Sequence, residues 1–342
     1  MKRIIVSLIL VICLLLCLSA CGKENNNSDN SSSANLSSTG DSNVSEINNP
    51  LSVAQLELVH GAGGMSYVIT LKNEGFIIID GGMGNNYYNK HSNVLFNYLF
   101  SRTTKGEKPV ILGWFFTHFH NDHVECAAEF LSEQADRLDV RAFYINSPGD
   151  NNYVDRQTAM ETLLNTGMNA HPSAERHYLK TGEKIEFPHC TVDILLTSSN
   201  LNSKGQTKPN NISAVFKMNF DTGKSFLVTG DTDYDRLLQL FDKNSTVYRS
   251  PNELVCDIYQ IPHHGRPLAT TEEATKLATH YEQLNPQIVF FPVSQKNYSS
   301  DEYYNDKKWA ANYYLINNSD AQCFHHSQTV TVNMEDLSIE IK

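Results

Sequence analysis

Val110-Ile111-Leu112-Gly113-Trp114-Phe115-Phe116 runs directly into Thr117-His118-Phe119-His120-Asn121-Asp122-His123. The first seven residues are an apolar, aromatic-rich run of strand length. The next seven concentrate three imidazoles and a carboxylate, groups that are costly to bury unless something satisfies them. They are also the ligand types that borderline divalent metals such as zinc favour. On extended chain His118 and His120, two residues apart, point the same way and can face one ion. Asp122 and His123 fall where a helical pattern begins, over 122–135, and can turn toward a second ion nearby.

Outward from this segment the chain alternates strand-like and helix-like stretches. Strands are expected at 66–71, 75–80, 110–116, 139–145, 191–197, 212–220, 224–229, 255–261 and 287–293, most of them β-branched or aromatic runs bounded by Gly, Asn or Pro. Helices are expected near 90–102, 122–135, 155–168, 233–243 and 271–284. The mixture argues for layered α/β packing of one domain over 51–342. A faint internal echo pairs Phe76-Ile77-Ile78-Ile79-Asp80-Gly81-Gly82 with Phe226-Leu227-Val228-Thr229-Gly230-Asp231. Each is an apolar strand that delivers an Asp beside Gly, so two similar halves would bring both acids to a shared seam.

The four motifs in order are Ile79-Asp80-Gly81-Gly82, His118-Phe119-His120-Asn121-Asp122-His123, Thr229-Gly230-Asp231 and Pro262-His263-His264-Gly265. In that order they resemble the metallo-β-lactamase superfamily, whose HxHxDH motif is matched at every fixed position. The resemblance covers most of residues 55–342. It leans toward the branch that includes the hydrolase domain of competence DNA-uptake proteins and phosphorylcholine esterase, on Asn211-Ile212-Ser213, Phe226–Asp231 and the HHG. The fold it implies is α/β, a four-layer αββα sandwich. It implies two divalent metal ions, with Zn2+ first: His118 and His120 on one, Asp122 and His123 on the other, Asp231 bridging. His264 completes the second position, with His263 as the alternative, and Asp122 and Asp231 are the catalytic carboxylates. Asp80 is expected to orient a ligand histidine rather than to bind metal itself.

Two departures stand out. The family's further metal-binding His, some 20–25 residues before the bridging Asp, is replaced by Asn210 and Asn211, leaving an open position on the first ion. His171, His177 and His189 lie too far upstream to supply it. The Gly-Gly that usually follows the HxHxDH motif is Val124-Glu125-Cys126 here, for which helix-surface and core roles are expected. The activity implied is metal-dependent hydrolysis by a hydroxide held between two metals, with a phosphodiester favoured by the branch resemblance. Lactone, β-lactam or other amide and ester hydrolysis is the enzymatic alternative, since one fold hosts many reactions. A non-catalytic substrate-binding lipoprotein is the other. Asn211, Ser213 and His263 are expected as polar contacts to substrate. Tyr87, Tyr88 and Tyr153 are expected either to line a mouth or to serve as ordinary packing residues. His325-His326 has no nearby acid and reads as a strand-edge or surface pair.

Before residue 51 the composition changes. Lys2 and Arg3 precede an apolar run from Ile4 to Leu18 and then Ser19-Ala20-Cys21. A charged start, an apolar stretch of that length and small residues at the end describe a secretory signal peptide over 1–20. Leu18-Ser19-Ala20-Cys21 resembles the bacterial lipobox, in which the Cys is lipidated. Residues 22–50 hold eight Asn and eight Ser, too little apolar surface to offset the entropy of ordering, so 21–50 reads as a tether spanning about 30 Å. The folded part is therefore expected on the extracytoplasmic face of a membrane, held by a lipid anchor, acting on a small molecule or a cell-wall polymer. The whole chain of 342 residues carries 38 Asp+Glu against 27 Lys+Arg, a formal charge of −11. That acidity counts against nucleic acid as a substrate gripped through phosphates. Cys126, Cys190, Cys256 and Cys323 form no CxxC pair, so no cysteine zinc site is supported and free thiols are expected.

Overall fold

Long apolar strands need cover on both faces, and the two sheets of this chain find it in each other and in helices. The structure, a computed structural model, describes residues 47–58, 64–146, 155–200, 209–265, 271–298, 312 and 314–342. The chain divides into two units, Met1–Ser45 and Glu46–Lys342, and the described residues belong to the second. The signal peptide, Cys21, most of the tether and Tyr153 lie outside them.

The first sheet begins with β1 (Ser52–Gln55), β2 (Ser66–Thr70), β3 (Phe76–Asp80), β4 (Val110–Phe116), β5 (Asp139–Val140), β6 (Ala142–Ile145) and β7 (Glu175–Tyr178). The second holds β8 (Lys184–Phe187), β9 (Cys190–Leu196), β10 (Val215–Phe220), β11 (Ser225–Val228), β12 (Ile258–Gln260), β13 (Ile288–Phe291) and β14 (Gln322–His325). The chain then returns to the first sheet as β15 (Val330–Asn333) and β16 (Ile339–Ile341). The strand order is β16-β15-β1-β2-β3-β4-β6-β7, with β5 beside β4, and β14-β13-β12-β11-β10-β9-β8. Strands β3, β4, β6 and β7 run parallel, as do β11 to β14.

Alternation along the strands sorts side chains into layers. Ile77, Ile79 and Phe115 of the first sheet meet Phe226, Val228, Ile288 and Phe290 of the second in one core between the sheets. Their neighbours Phe76, Ile78, Trp114 and Phe116 face the other way. There they pack against α1 (Tyr88–Phe100), α2 (Asn121–Glu133) and α3 (Asp155–Asn169). On the far side Leu227, Val289 and Phe291 pack with residues of α4 (Tyr234–Leu237), α5 (Pro251–Leu254) and α6 (Thr271–Leu284). The order of layers is α, β, β, α, the four-layer sandwich expected from the motifs.

Several elements depart from the sequence reading. The strand expected over 139–145 breaks at Arg141, whose exposed guanidinium pairs with Asp139 at 2.6 Å. The helix expected over 233–243 is one turn, α4, followed by a 3-10 turn at Leu238–Leu240. There the Arg236 side chain turns inward and donates to the Thr197 carbonyl. Cys126, Cys190 and Cys256 are buried free thiols and Cys323 is a half-buried one; burial raises the pKa of each. Among the described residues no helix is long and apolar enough to cross a membrane.

Candidate metal centre

Parallel strands end at one edge of each sheet, and ligands collect where such ends face each other. β3 ends at Asp80, and β4 runs into Thr117, His118 and His120. β11 is followed by Asp231, and β12 by His263 and His264. His120 is the last extended residue before α2 (φ −85°, ψ 152°), and Asp122 lies in that helix's first turn, where unpaired N–H groups favour a carboxylate. A Cβ on Gly81 would stand 2.7 Å from Ala127 Cβ. Glycine therefore lets the end of β3 lie against α2, and its N–H donates to the His123 carbonyl at 2.7 Å.

Asp80 is fully buried and holds two histidines. Its Oδ2 accepts His123 Nδ1–H at 2.6 Å and the Thr117 hydroxyl at 2.7 Å, and its Oδ1 accepts the Thr117 N–H at 2.8 Å. The Thr117 hydroxyl in turn lies 3.1 Å from His118 Nδ1. Because that hydroxyl spends its proton on Asp80, it accepts from His118 Nδ1–H. Both imidazoles are thus fixed with Nδ1 held from behind and Nε2 turned into the centre, the arrangement by which outer carboxylates orient ligand histidines. His118 Nε2 and His120 Nδ1 converge to 3.0 Å. The backbone at Asp80 is left-handed (φ 54°), a conformation that costs a non-glycine residue on the order of 1–3 kcal/mol and clusters at functional sites.

The second sheet brings Asp231 and His264 to the same place. Asp231 Oδ1 lies 3.2 Å from His123 Nε2, and its Oδ2 lies 3.2 Å from His264 Nε2 and 3.8 Å from His118 Nε2. Asp122 Oδ2 lies 3.1 Å from His264 Nε2. The two echoed acids, Asp80 and Asp231, therefore face opposite nitrogens of one imidazole, His123. His263, His264 and Gly265 form a left-handed turn (φ 48°, 54° and 65°) that sends the two side chains apart. His264 is buried, with Nδ1 donating to the Pro292 carbonyl at 2.7 Å. His263 is part-exposed on the rim, its ring 2.8 Å from Asn210 Nδ2 and 3.6 Å from Asp233.

Charge and burial divide the imidazoles into two kinds. Burial, reinforced by the neighbouring His123 and His120, holds His118 well below the usual histidine range. Burial likewise lowers His120. Burial also opposes charge on His123 and His264, but the carboxylates outweigh it. Asp231 and Asp80 hold His123 well above its usual value, and Asp231 and Asp122 lift His264 to about 9. Burial would raise Asp231, yet His264 and His123 hold it well below the carboxylate range. Asp122 is lowered as well: its burial is outweighed by the hydrogen bond to His264 and by His123. Asp80 is raised by its burial, against the pull of His123. A divalent cation binding here would displace the protons that the carboxylates hold on His123 and His264.

The residues fit such an ion. His123 Nε2 and Asp231 Oδ1 are buried and make no hydrogen bond, although they approach to 3.2 Å; buried polar atoms left over in this way are what an ion would satisfy. Asp122, His123, Asp231 and His264 form one group able to hold a metal ion, and His118, His120 and Asp231 another. Within each group the ligand atoms all lie within 4.8 Å of one another.

The other expected site residues fall elsewhere. Ser213 is fully buried, and its hydroxyl accepts the Asp231 N–H at 3.1 Å, so it supports Asp231 and offers nothing to a substrate in solution. The side chain of Asn211 lies outside the described residues. Tyr88 donates to Glu133 at 2.6 Å and Tyr87 stacks on His91, both packing roles. Glu125 accepts from the Gly84 N–H at 3.2 Å and Asn85 Nδ2 at 3.3 Å, pinning the loop after β3, and Cys126 is core. His171, His177 and His189 are engaged with Leu131, Glu175 and Asp221. His325 ends β14, whereas His326 is buried, not at the surface. Sequence reasoning missed Thr117 as a relay, and it missed Asn146. The Asn146 amide donates to the Thr117 carbonyl at 2.8 Å and to the Ile212 carbonyl, tying the two sheets together beside the centre.

No family model matches the sequence, and no curated protein matches it. Among solved structures the chain is similar to the metallo-β-lactamase fold protein YhfI from Bacillus subtilis, at 9% identity over 81% of this chain and 96% of that one, with a TM-score of 0.45. It is similar to a possible metal-dependent hydrolase from Veillonella parvula, at 9% identity over 82% and 99%, TM-score 0.44. It is also similar to CmlA, a diiron β-hydroxylase from Streptomyces venezuelae, at 12% identity over 83% of this chain and 54% of that one, TM-score 0.44. Likeness this distant says nothing of the chemistry, which rests on the side chains described above.

Proposed function

We propose that the chain is a metal-dependent hydrolase that holds two divalent ions, zinc first, and cleaves phosphodiesters at the extracytoplasmic face of a membrane. The observation that carries the reading is the convergence of two ligand groups on one shared carboxylate, Asp231. A divalent ion bound there supplies Lewis acidity, which polarises a substrate oxygen and makes water acidic enough to attack near neutral pH. The chain's own part is to keep the centre rigid and its imidazoles correctly protonated. Asp80 holds His123 directly and His118 through Thr117, while Pro292 holds His264. The oxygens and nitrogens of the donor set favour a borderline ion such as zinc. Neutral imidazoles, with only Asp122 and Asp231 set against two divalent ions, would leave net positive charge, which suits an anionic ester.

The motif resemblance supports the phosphodiester over other bonds. The overall acidity and the part-exposed Asp233 beside His263 on the rim favour a small molecule or a cell-wall polymer over nucleic acid. Lipid anchoring through Cys21 belongs to the same reading and rests on the lipobox. Hydrolysis of a chromogenic phosphodiester by the zinc-loaded protein, with a chelated control, tests the activity. Metal-dependent turnover is expected. No turnover with two metals bound would overturn the phosphodiesterase assignment and turn attention to lactones and amides.

A further inference from the structure

Within the buried parallel strand Ile258-Tyr259-Gln260, followed by Ile261, one residue carries a neutral amide where apolar side chains are the rule. Gln260 is fully buried, and a primary amide has two donors and a two-fold acceptor to satisfy. All four positions are used on the two loops that carry Asp231 and His264. Oε1 accepts the Thr229 N–H at 2.7 Å and the Gly230 N–H at 2.8 Å. Nε2 donates to the Gly230 carbonyl at 3.0 Å and to the carbonyl of Ile261. The Gly230 carbonyl also accepts the His263 N–H at 3.1 Å.

Gly230 is the left-handed turn (φ 56°) that swings Asp231 off the end of β11. Three successive N–H groups, of Thr229, Gly230 and Asp231, turn inward there, met by Gln260 twice and Ser213 once. Nothing in β-ladder pairing would satisfy them, because β11 has ended at Val228.

We infer that Gln260 is a positioning residue whose carboxamide ties the Thr229–Asp231 turn to Ile261, at the head of the His263–Gly265 turn, and holds the Gly230 carbonyl where it takes the His263 N–H, setting the distance between Asp231 and His264 at which they share an ion. The inference rests on the two-ion reading above. Gln260→Glu keeps the shape but sets a carboxyl oxygen against the Gly230 and Ile261 carbonyls; Gln260→Met removes all four bonds at similar volume. Thr229→Val is milder, removing the hydroxyl that lies 2.8 Å from the Gln260 backbone carbonyl and 3.2 Å from its carboxamide Oε1.

The test is Co2+ titration of the purified full chain against a chromophoric chelator. The cobalt absorption bands are recorded together with circular dichroism. Wild type is expected to take up two ions. Folded Gln260→Glu and Gln260→Met are expected to bind one of them about 10- to 100-fold more weakly, the usual cost of losing an outer partner, with altered bands. Thr229→Val gives a smaller loss of the same kind and serves if the Gln260 variants do not fold. Folded variants with wild-type affinity and bands, whatever their melting temperatures, would overturn the inference alone. A wild-type chain that takes up no cobalt would overturn the two-ion reading and this inference with it.

Discussion

Asp80→Asn is the sharpest single perturbation of the centre, because it keeps the volume and changes one acceptor into a donor. Asp80 accepts three hydrogen bonds, from Thr117 N–H, the Thr117 hydroxyl and His123 Nδ1–H. Whichever way the amide is turned, its NH2 faces at least one of these donors. At Oδ2 it meets His123 Nδ1–H, which must then move its proton to Nε2 and lose the lone pair aimed at the centre. At Oδ1 it meets the Thr117 N–H and pushes away the residue that orients His118. One lost hydrogen bond to a charged group is worth about 1.5–3 kcal/mol. A loss of about 2 kcal/mol corresponds to roughly 30-fold in metal affinity. Calorimetric titration of Zn2+ into wild type and Asp80→Asn measures it, with thermal melts to establish that the variant is folded. A folded variant binding Zn2+ within about threefold of wild type would refute the orienting role assigned to Asp80.

Other outcomes follow from the same geometry. Gly230→Ala places a Cβ 3.0 Å from that of Ser213 in a left-handed conformation, so the urea midpoint should fall by the equivalent of about 1–3 kcal/mol with the slope unchanged, and zinc content should drop with it. His171 is buried, and burial lowers its pKa from the ordinary 6.5. The unfolded chain therefore binds that proton more readily, and stability is greatest above the ordinary value and declines as pH falls from there through the lower folded value. His171→Gln should flatten that part of the melting-temperature profile, and an unchanged profile would exclude the assignment. Cys21→Ala should move the protein from the membrane to the soluble fraction of its host; retention at the membrane would count against the lipid anchor.

The centre was most legible where chemistry is local. The strand 110–116 and the cluster His118–His123 announce themselves because seven apolar residues and four ligand-type side chains lie in one short segment. Asp80 and Asp231 were visible as acids closing apolar strands. The choice between His263 and His264 was not, because it depends on a left-handed turn and on the carbonyl of Pro292, which lies on another strand's end. Ser213 looked like a substrate contact for a related reason: only the packing of β10 beside β11 puts its hydroxyl under Asp231. Strands β7 and β8 escaped notice because Glu175-Arg176-His177-Tyr178 and Lys184-Ile185-Glu186-Phe187 are charged edge strands, the composition that protects an open edge from further pairing. Strand β1 is held by its neighbours β2 and β15 more than by any propensity of Ser-Val-Ala-Gln.

The central claim is that two ions share Asp231, and elemental analysis of the purified protein beside His118→Ala and His264→Ala tests it most directly. The account predicts two equivalents of divalent metal in wild type and loss of a single equivalent in each variant, from different groups. A wild-type content of one equivalent or less, or two equivalents retained after both substitutions, would contradict it.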